Sequence, residues 1–373
     1  MTSPVKPVRV LQVLTCLNPG GIENYLMNLY RNMNRNEVQF DFLVHRPHEG
    51  AYEKEVKNLG ANIYRVPRAN PLNPRYFAEL NLFFDQHSYD VIHVNLDCMS
   101  AFVLAAAKKH GVKTRIAHSH SSSQDKDIKY PIKLLSKRLI PKYATDLFAC
   151  GERAGQWMFD GACFSIKPNA VELKKFEYQK KWGEEIKCEL NIPQSAFVIG
   201  HVGRFNKVKN QTFLLEVLKE LTVSAVDAYV LFVGDGEGRR QVAERAEQMG
   251  LTNRVRFTGI RNDVNRYMSA FNVFAMPSLY EGLPLVLIEA QANGLHCIIN
   301  ETLPPDCDLT DLILRLPLRA DEWSRSLKKI ATGKAENRRS RIAELKREGF
   351  EIEEEAKKMQ GFYLEKATKA GAV

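Results

Sequence analysis

Short apolar runs, each followed by a polar or glycine-bearing turn and then, in most cases, a segment of helical length, recur along this chain in two sets. The first set is 8–15, 38–44, 63–66, 91–94, 114–117 and 147–150; the second is 197–202, 229–233, 255–257, 273–276 and 297–299. Uninterrupted apolar strands of this length suit burial on both faces, and their alternation with helices is that of a doubly wound parallel sheet. The first helix starts at Ile22 and carries Ile22, Tyr25, Leu26, Leu29 and Met33 on one face. Between the sets the pattern stops around Lys167-Pro168-Asn169-Ala170, and a stretch rich in Lys and Glu, 172–191, reads as the connection.

A chain of 373 residues exceeds one ordinary core and suits two domains. We therefore expect an α/β protein with two Rossmann-like domains. One covers 1–168 and is completed by a C-terminal helix near 350–373; the other covers 169–349. Facing each other, they would hold a ligand in a cleft at their strand ends, where such sheets bind. The last segment, 336–369, has a helical stripe (Ile342, Leu345, Phe350, Ile352, Ala356, Met359, Phe362) that should pack back on the body.

Four places in this frame could carry chemistry. Glu281 and Gly282 follow the strand that ends at Met276, Pro284 is placed to open a helix, and Glu289 falls within that helix. Free amides at a helix start bind anions, and carboxylates beside them accept hydrogen bonds from sugar or ribose hydroxyls. An ordinary turn with a surface glutamate would read the same. Gly203-Arg204-Phe205 is followed by Lys207, Lys209 and Asn210, so that Arg204 and Lys209 flank a strand-to-helix loop. There they could neutralise a diphosphate, or simply be solvated. Gly20 and Gly21 form a turn through which backbone can approach a phosphate. His118-Ser119-His120 ends a strand, where a histidine could meet substrate or merely pack.

Taken together, Gly20–Glu23, His118, Gly203-Arg204-Phe205 with Lys209-Asn210, Phe257-Thr258-Gly259-Ile260-Arg261, and Glu281 with Glu289 resemble glycosyltransferase family 4. Its members are retaining enzymes of the GT-B fold, and the likeness is to bacterial ones that build exopolysaccharide or capsule. It runs along nearly the whole chain. It implies transfer of a hexose from a nucleoside-diphosphate sugar, commonly UDP-linked, to a glycan or lipid-linked acceptor, with no metal and no other cofactor. Arg204 and Lys209 would hold the donor diphosphate. Glu281, Gly282, Leu283 and Leu285 would contact the hexose and phosphates, and Glu289 the ribose hydroxyls. Arg261 would flank the base, Gly20 and Gly21 would close on the phosphate, and His118 would touch the sugar. His296 stands where the family usually carries proline, for which we expect a packing consequence only.

Charge supplies the competing reading. The net charge is +9, and between Lys108 and Lys142 ten Lys/Arg face two Asp/Glu. A nucleic-acid-binding α/β protein without transfer activity would use such a patch, but its aromatics are only Tyr130 and Tyr143 and no nucleic-acid module is recognisable. The mixed basic and aliphatic stretch 130–140 better suits a helix lying on an anionic membrane, with Lys133, Lys137 and Arg138 as its basic face and the patch running over 126–142. With no long apolar run and no leader-like start, the expected location is cytoplasmic, at the inner leaflet. The seven cysteines read as buried free thiols, with a structural zinc site as the other reading. Asp125-Lys126-Asp127 and Asp306-Cys307-Asp308 read as loop residues rather than a metal motif, and Gly234–Gly238 lacks the acidic partner of a dinucleotide site.

Overall fold

The computed structural model describes residues 6–121, 130–333 and 338–371. Asp125 and Asp127, with Lys126 and Lys129 of the basic stretch, lie outside them. The chain divides into two compact units, one of residues 1–171 with 351–373 and the other of 172–350.

In the first unit the strands are β1 (Val8–Leu14), β2 (Val38–Val44), β3 (Ile63–Arg65), β4 (Val91–Val94), β5 (Thr114–Ser119), β6 (Asp146–Ala149) and β7 (Ser165–Ile166). They form one parallel sheet in the order β3-β2-β1-β4-β5-β6-β7, with Val8 opposite Val38 and Val10 opposite Val91. The winding reverses between β1 and β4, which makes the carboxyl ends of those strands the place for a ligand. The helix Gly21–Asn32 packs Tyr25, Leu26, Leu29 and Tyr30 onto β1 and β2. The final helix, Ile352–Gly371, belongs to this core as well: Ile352, Ala356, Met359 and Tyr363 are fully buried in it.

The second unit repeats the plan with β8 (Phe197–Val202), β9 (Ala228–Val233), β10 (Val255–Phe257), β11 (Val273–Met276), β12 (His296–Asn300) and β13 (Ile313–Leu316). Their order is β10-β9-β8-β11-β12-β13, all parallel, so the reversal lies between β8 and β11. Trp323, from the helix Ala320–Thr332, plugs the core against Phe213 and donates its indole N–H to the Pro317 carbonyl at 2.9 Å. The stretch read as a connection, 172–191, is structured and belongs to this unit, with a helix at Lys180–Glu189.

None of the seven cysteines is joined in a disulfide, and Cys98, Cys150, Cys297 and Cys307 are buried as expected, but Cys16 is half-buried and Cys163 and Cys188 are exposed. Asp308 is engaged by Arg315 at 2.7 Å, in keeping with a loop residue. Among the described residues no helix is long and apolar enough to cross a membrane.

Candidate active site

In the second unit the loops leaving β8 and β11 are tied together. Leu279 donates its amide to the Val208 carbonyl at 2.8 Å, and the Asn210 carboxamide reaches the Pro277 carbonyl at 3.3 Å. Asn210 adopts a left-handed conformation (φ 53°), which turns the chain into the helix Gln211–Val223. The Asn206 side chain accepts from the Lys209 amide at 3.0 Å and fixes the preceding turn. As a result Lys209 Nζ lies 2.6 Å from Glu281 Oε1, with the two side chains only 20% and 13% exposed. The pair bridges 72 positions of sequence. It stands at the strand reversal, where a doubly wound sheet binds its ligand.

A third loop buttresses the first. Gly234 has φ +134°, and a Cβ there would lie 2.2 Å from the Gly203 carbonyl oxygen. Only glycine lets the β8 and β9 loops approach so closely. Phe205 donates to the Asp235 carbonyl and accepts from the Gly238 amide, completing the brace.

The remaining expected residues fall into place unevenly. Arg204 is 71% exposed and pairs with exposed Glu237 at 3.0 Å, an interaction weak enough to yield to a ligand. Arg261 is held by Asp263 through contacts of 3.0 and 3.1 Å and lies 5.0 Å over the Tyr267 ring. Pro284, expected as the first helical residue, is instead the residue before the helix Leu285–Ala292. At this helix start the Leu287 amide donates back to the Pro284 carbonyl at 2.9 Å, while the Leu285 and Val286 amides precede the first intrahelical bond.

Glu289 is half-buried on that helix, and its carboxyl has no hydrogen-bond partner among the described residues. Burial pushes its pKa up to about 7, against an opposing pull from Lys175. A carboxyl raised above its usual 4.5 favours the folded state when protonated, so its contribution is complete at low pH and is lost as pH rises through 7. Glu289→Gln should therefore gain stability relative to the native protein between pH 5 and pH 8, by about 2 kcal/mol after allowing for partial exposure. Denaturant titrations at the two pH values check this.

Two buried groups under this loop escaped the sequence reading. His201, inside β8, donates from Nδ1 to the Ala275 carbonyl (2.9 Å), and its Nε2 has no hydrogen-bond partner among the described residues. Burial pushes its pKa down to about 4. The Ser278 hydroxyl is likewise buried and has no hydrogen-bond partner among the described residues. The only signal for His201 was a polar residue in the middle of an apolar strand.

In the first unit Gly20 precedes the helix Gly21–Asn32 and Gly21 opens it, one residue earlier than the expected start at Ile22. A Cβ on Gly20 would lie 2.4 Å from Glu23 Oε2, so the glycine makes room for that carboxyl. Burial, with Asp97 adding to it, raises Glu23 to about 7. His118 ends β5 but does not sit at the surface: it is 2% exposed, stacked on His93 at 5.1 Å and 4.0 Å from the His120 ring centre. Burial, and then the neighbouring His120, hold it well below the usual range.

The basic helix, Tyr130–Tyr143, differs from expectation on one face. Lys137 turns inward, donating to the Trp157 carbonyl with its ammonium 5.1 Å over the Trp157 ring. Leu135 (63% exposed), Arg138 and Lys142 form the outward row instead. His296 is exposed at the start of β12, beside a cavity of about 1360 Å³ at the opposite end of the sheet. None of the expected site residues lines that cavity.

Comparison with known proteins gives a consistent result. Residues 20–158 match the glycosyl transferase 4-like domain, and residues 183–309 match the glycosyl transferases group 1. The chain is 37% identical over 321 residues to the putative glycosyltransferase EpsF of Bacillus subtilis, covering 83% of this chain and 84% of that one. It is 24% identical over 337 residues to the capsular polysaccharide biosynthesis glycosyltransferase CapH of Staphylococcus aureus, covering 88% and 92%. An Escherichia coli UDP-Gal:alpha-D-GlcNAc-diphosphoundecaprenol alpha-1,3-galactosyltransferase is 28% identical over 236 residues, 60% of each chain. In structure the chain resembles Anabaena HepE in complex with UDP and glucose, with TM-score 0.72, 16% identity and coverage of 98% and 100%.

Proposed function

We propose, since the chain belongs to glycosyltransferase family 4, that it moves a hexose from a UDP-linked donor to a lipid-linked or glycan acceptor, with retention at the sugar carbon. The observation that carries this reading is the Lys209–Glu281 pair at the strand reversal of the second unit. Lys209, with Arg204 freed from its weak surface partner, supplies the positive charge that a departing diphosphate needs, so the step requires no metal ion. Glu281 stands next to that charge and accepts from hydroxyls of the transferred sugar, with Gly282, Leu283 and Leu285 lining the same turn. Glu289, a carboxyl with no protein partner, takes the ribose, and Arg261 flanks the base. Taken by itself, the first unit has at Gly20 and Gly21 a turn whose backbone suits a phosphate, and at His118 a ring nitrogen that suits a sugar hydroxyl. As the bond from the sugar carbon to the diphosphate breaks, the acceptor oxygen bonds to that carbon. Its proton passes to the departing phosphate.

A polysaccharide role is supported by what the relatives are named for, and the UDP preference by the nucleotide in the HepE complex. The nucleic-acid reading has no comparable support. The test is a thermal shift with UDP, GDP and ADP, followed by hydrolysis and transfer assays on the matching sugar nucleotides. UDP should raise the melting temperature, as any ligand of the native state does. Glu289→Ala should weaken that shift, and Glu281→Ala should keep it while losing turnover. A shift with NAD and none with any nucleoside diphosphate overturns the reading.

The outward row Leu135, Arg138 and Lys142 suits docking on an anionic bilayer, where each basic residue contributes about 1 kcal/mol. Co-sedimentation with vesicles containing anionic lipid should fall when Arg138 and Lys142 are both changed to Glu. Binding that ignores lipid charge rules this out.

A further inference from the structure

A row of buried polar groups links the last helix of the chain to His118. Tyr363 Oη lies 2.7 Å from His93 Nδ1, and His93 Nε2 lies 3.1 Å from His118 Nδ1. All three side chains are 0–2% exposed. His118 Nε2, at the far end, is buried and has no hydrogen-bond partner among the described residues.

The direction of every proton in this row follows from one anchor. A backbone carbonyl can only accept, so the Asn95 nitrogen, 3.4 Å from the His93 carbonyl, is the end of the carboxamide that faces it. The same nitrogen donates to Gln12 Oε1 at 3.3 Å, and the Asn95 oxygen faces His120 Nε2 at 2.8 Å. Gln12 is thereby oriented with its nitrogen toward Tyr363 Oη, at 3.2 Å. Tyr363 accepts there, so its own hydroxyl proton goes to His93 Nδ1. A neutral His93 must then carry its proton on Nε2 and give it to His118 Nδ1. A neutral His118, accepting at Nδ1, must be protonated on Nε2. Burial keeps both rings neutral: it pushes His93 down to about 3 and His118 well below its ordinary value.

The geometry points to Tyr363 as a positioning residue that acts through His93 to fix His118 as an Nε2–H donor, whose ligand is therefore an oxygen acceptor such as a sugar hydroxyl or a phosphate oxygen. This rests on the transferase reading only for the identity of that ligand and for its kinetic consequence. His118 is thus set to hydrogen-bond and hold substrate rather than to take a proton from it.

The experiment is long-range proton–nitrogen NMR on the full chain labelled at histidine, with Tyr363→Phe and Tyr25→Phe as variants. Tyr25 is a fair control, because its hydroxyl is equally buried beside His118 but makes no hydrogen bond. The native protein should show a protonated Nε2 and a bare Nδ1 at His118. Tyr363→Phe should mix the two tautomers and lower kcat by about ten- to a hundredfold, the usual cost of losing a partner that orients a functional ring, with little change in donor KM. Tyr25→Phe should change neither. A native His118 protonated on Nδ1, or a tautomer unmoved by Tyr363→Phe, overturns the proposal. A mixed tautomer with unchanged kcat also overturns the positioning role. If no sugar nucleotide is turned over, the transferase reading fails while the NMR arm still decides whether Tyr363 sets the tautomer.

Discussion

Lys209→Ala should lower sugar transfer by about a hundred- to a thousandfold, the usual cost of removing one preorganised group that stabilises charge in the transition state. The effect should fall on kcat more than on donor KM, because the charge on the leaving diphosphate grows as the bond breaks. The structure adds a second reason for a large loss. Lys209 is the 2.6 Å partner of a Glu281 that is only 13% exposed, so the alanine leaves a half-buried carboxylate uncompensated beside an anionic ligand. The double variant Lys209→Ala with Glu281→Gln should then bind UDP more tightly than Lys209→Ala alone while staying slow. Steady-state kinetics and calorimetry on the four proteins give the coupling. If Lys209→Ala keeps native kcat, the diphosphate is stabilised elsewhere.

Gly234→Ala should destabilise the second unit by about 2–4 kcal/mol, the range expected when a special backbone conformation and a steric clash coincide. The added carbon has no soft neighbour to displace: it meets the carbonyl oxygen and carbon of Gly203 at 2.2 and 2.9 Å. Relief requires the β8 loop to move, and Arg204 and Lys209 move with it. Nucleotide binding should be lost together with a fall of roughly 5–15 °C in the melting temperature of this unit. Gly250→Ala is the control. That glycine also has positive φ (+70°), but nothing lies within 4 Å of its added carbon, so it should cost only about 1 kcal/mol and leave UDP binding intact. Equal effects at the two positions would mean that backbone strain, not the loop brace, is what Gly234 relieves.

The sequence showed the frame well where burial and patterning agree. Strands β2, β4, β8, β10 and β11 begin and end where their apolar runs do, because polar residues bound β2, β4 and β10 on both sides, Gly203 ends β8, and Asn272 and Pro277 bracket β11. It fell short where tertiary packing decides. β5 runs on through His118 and Ser119, which read as polar but are buried by Tyr25, His93 and the strand neighbours. β13 was missed because Ile313-Leu314-Arg315-Leu316 is a half-exposed edge with an arginine inside it, an arginine that Asp308 holds. In the site, residue types were legible and partners were not. Nothing local says that Lys209 meets Glu281, or that Lys137 turns from the basic face toward Trp157. The Lys209–Glu281 pairing follows from the sheet order, which brings β8 beside β11 while β9 and β10 lie on the other side.

The first unit is interrupted by the second and closed only by the helix Ile352–Gly371. On the ribosome, residues 172–350 can finish folding while their older neighbour still lacks its last helix. At roughly 5–20 residues per second, the nascent first unit waits on the order of 10–40 s after residue 171 is made before Tyr363 follows. Throughout that interval the faces of β1, β2 and the helix Gly21–Asn32 that Ile352, Ala356, Met359 and Tyr363 will cover remain bare. Such a surface is a natural substrate for chaperones. Docking of the helix Ile352–Gly371 would end that exposure and, in the same event, close the hydrogen-bonded row that orients His118, so that the first unit matures only after Tyr363 has been made.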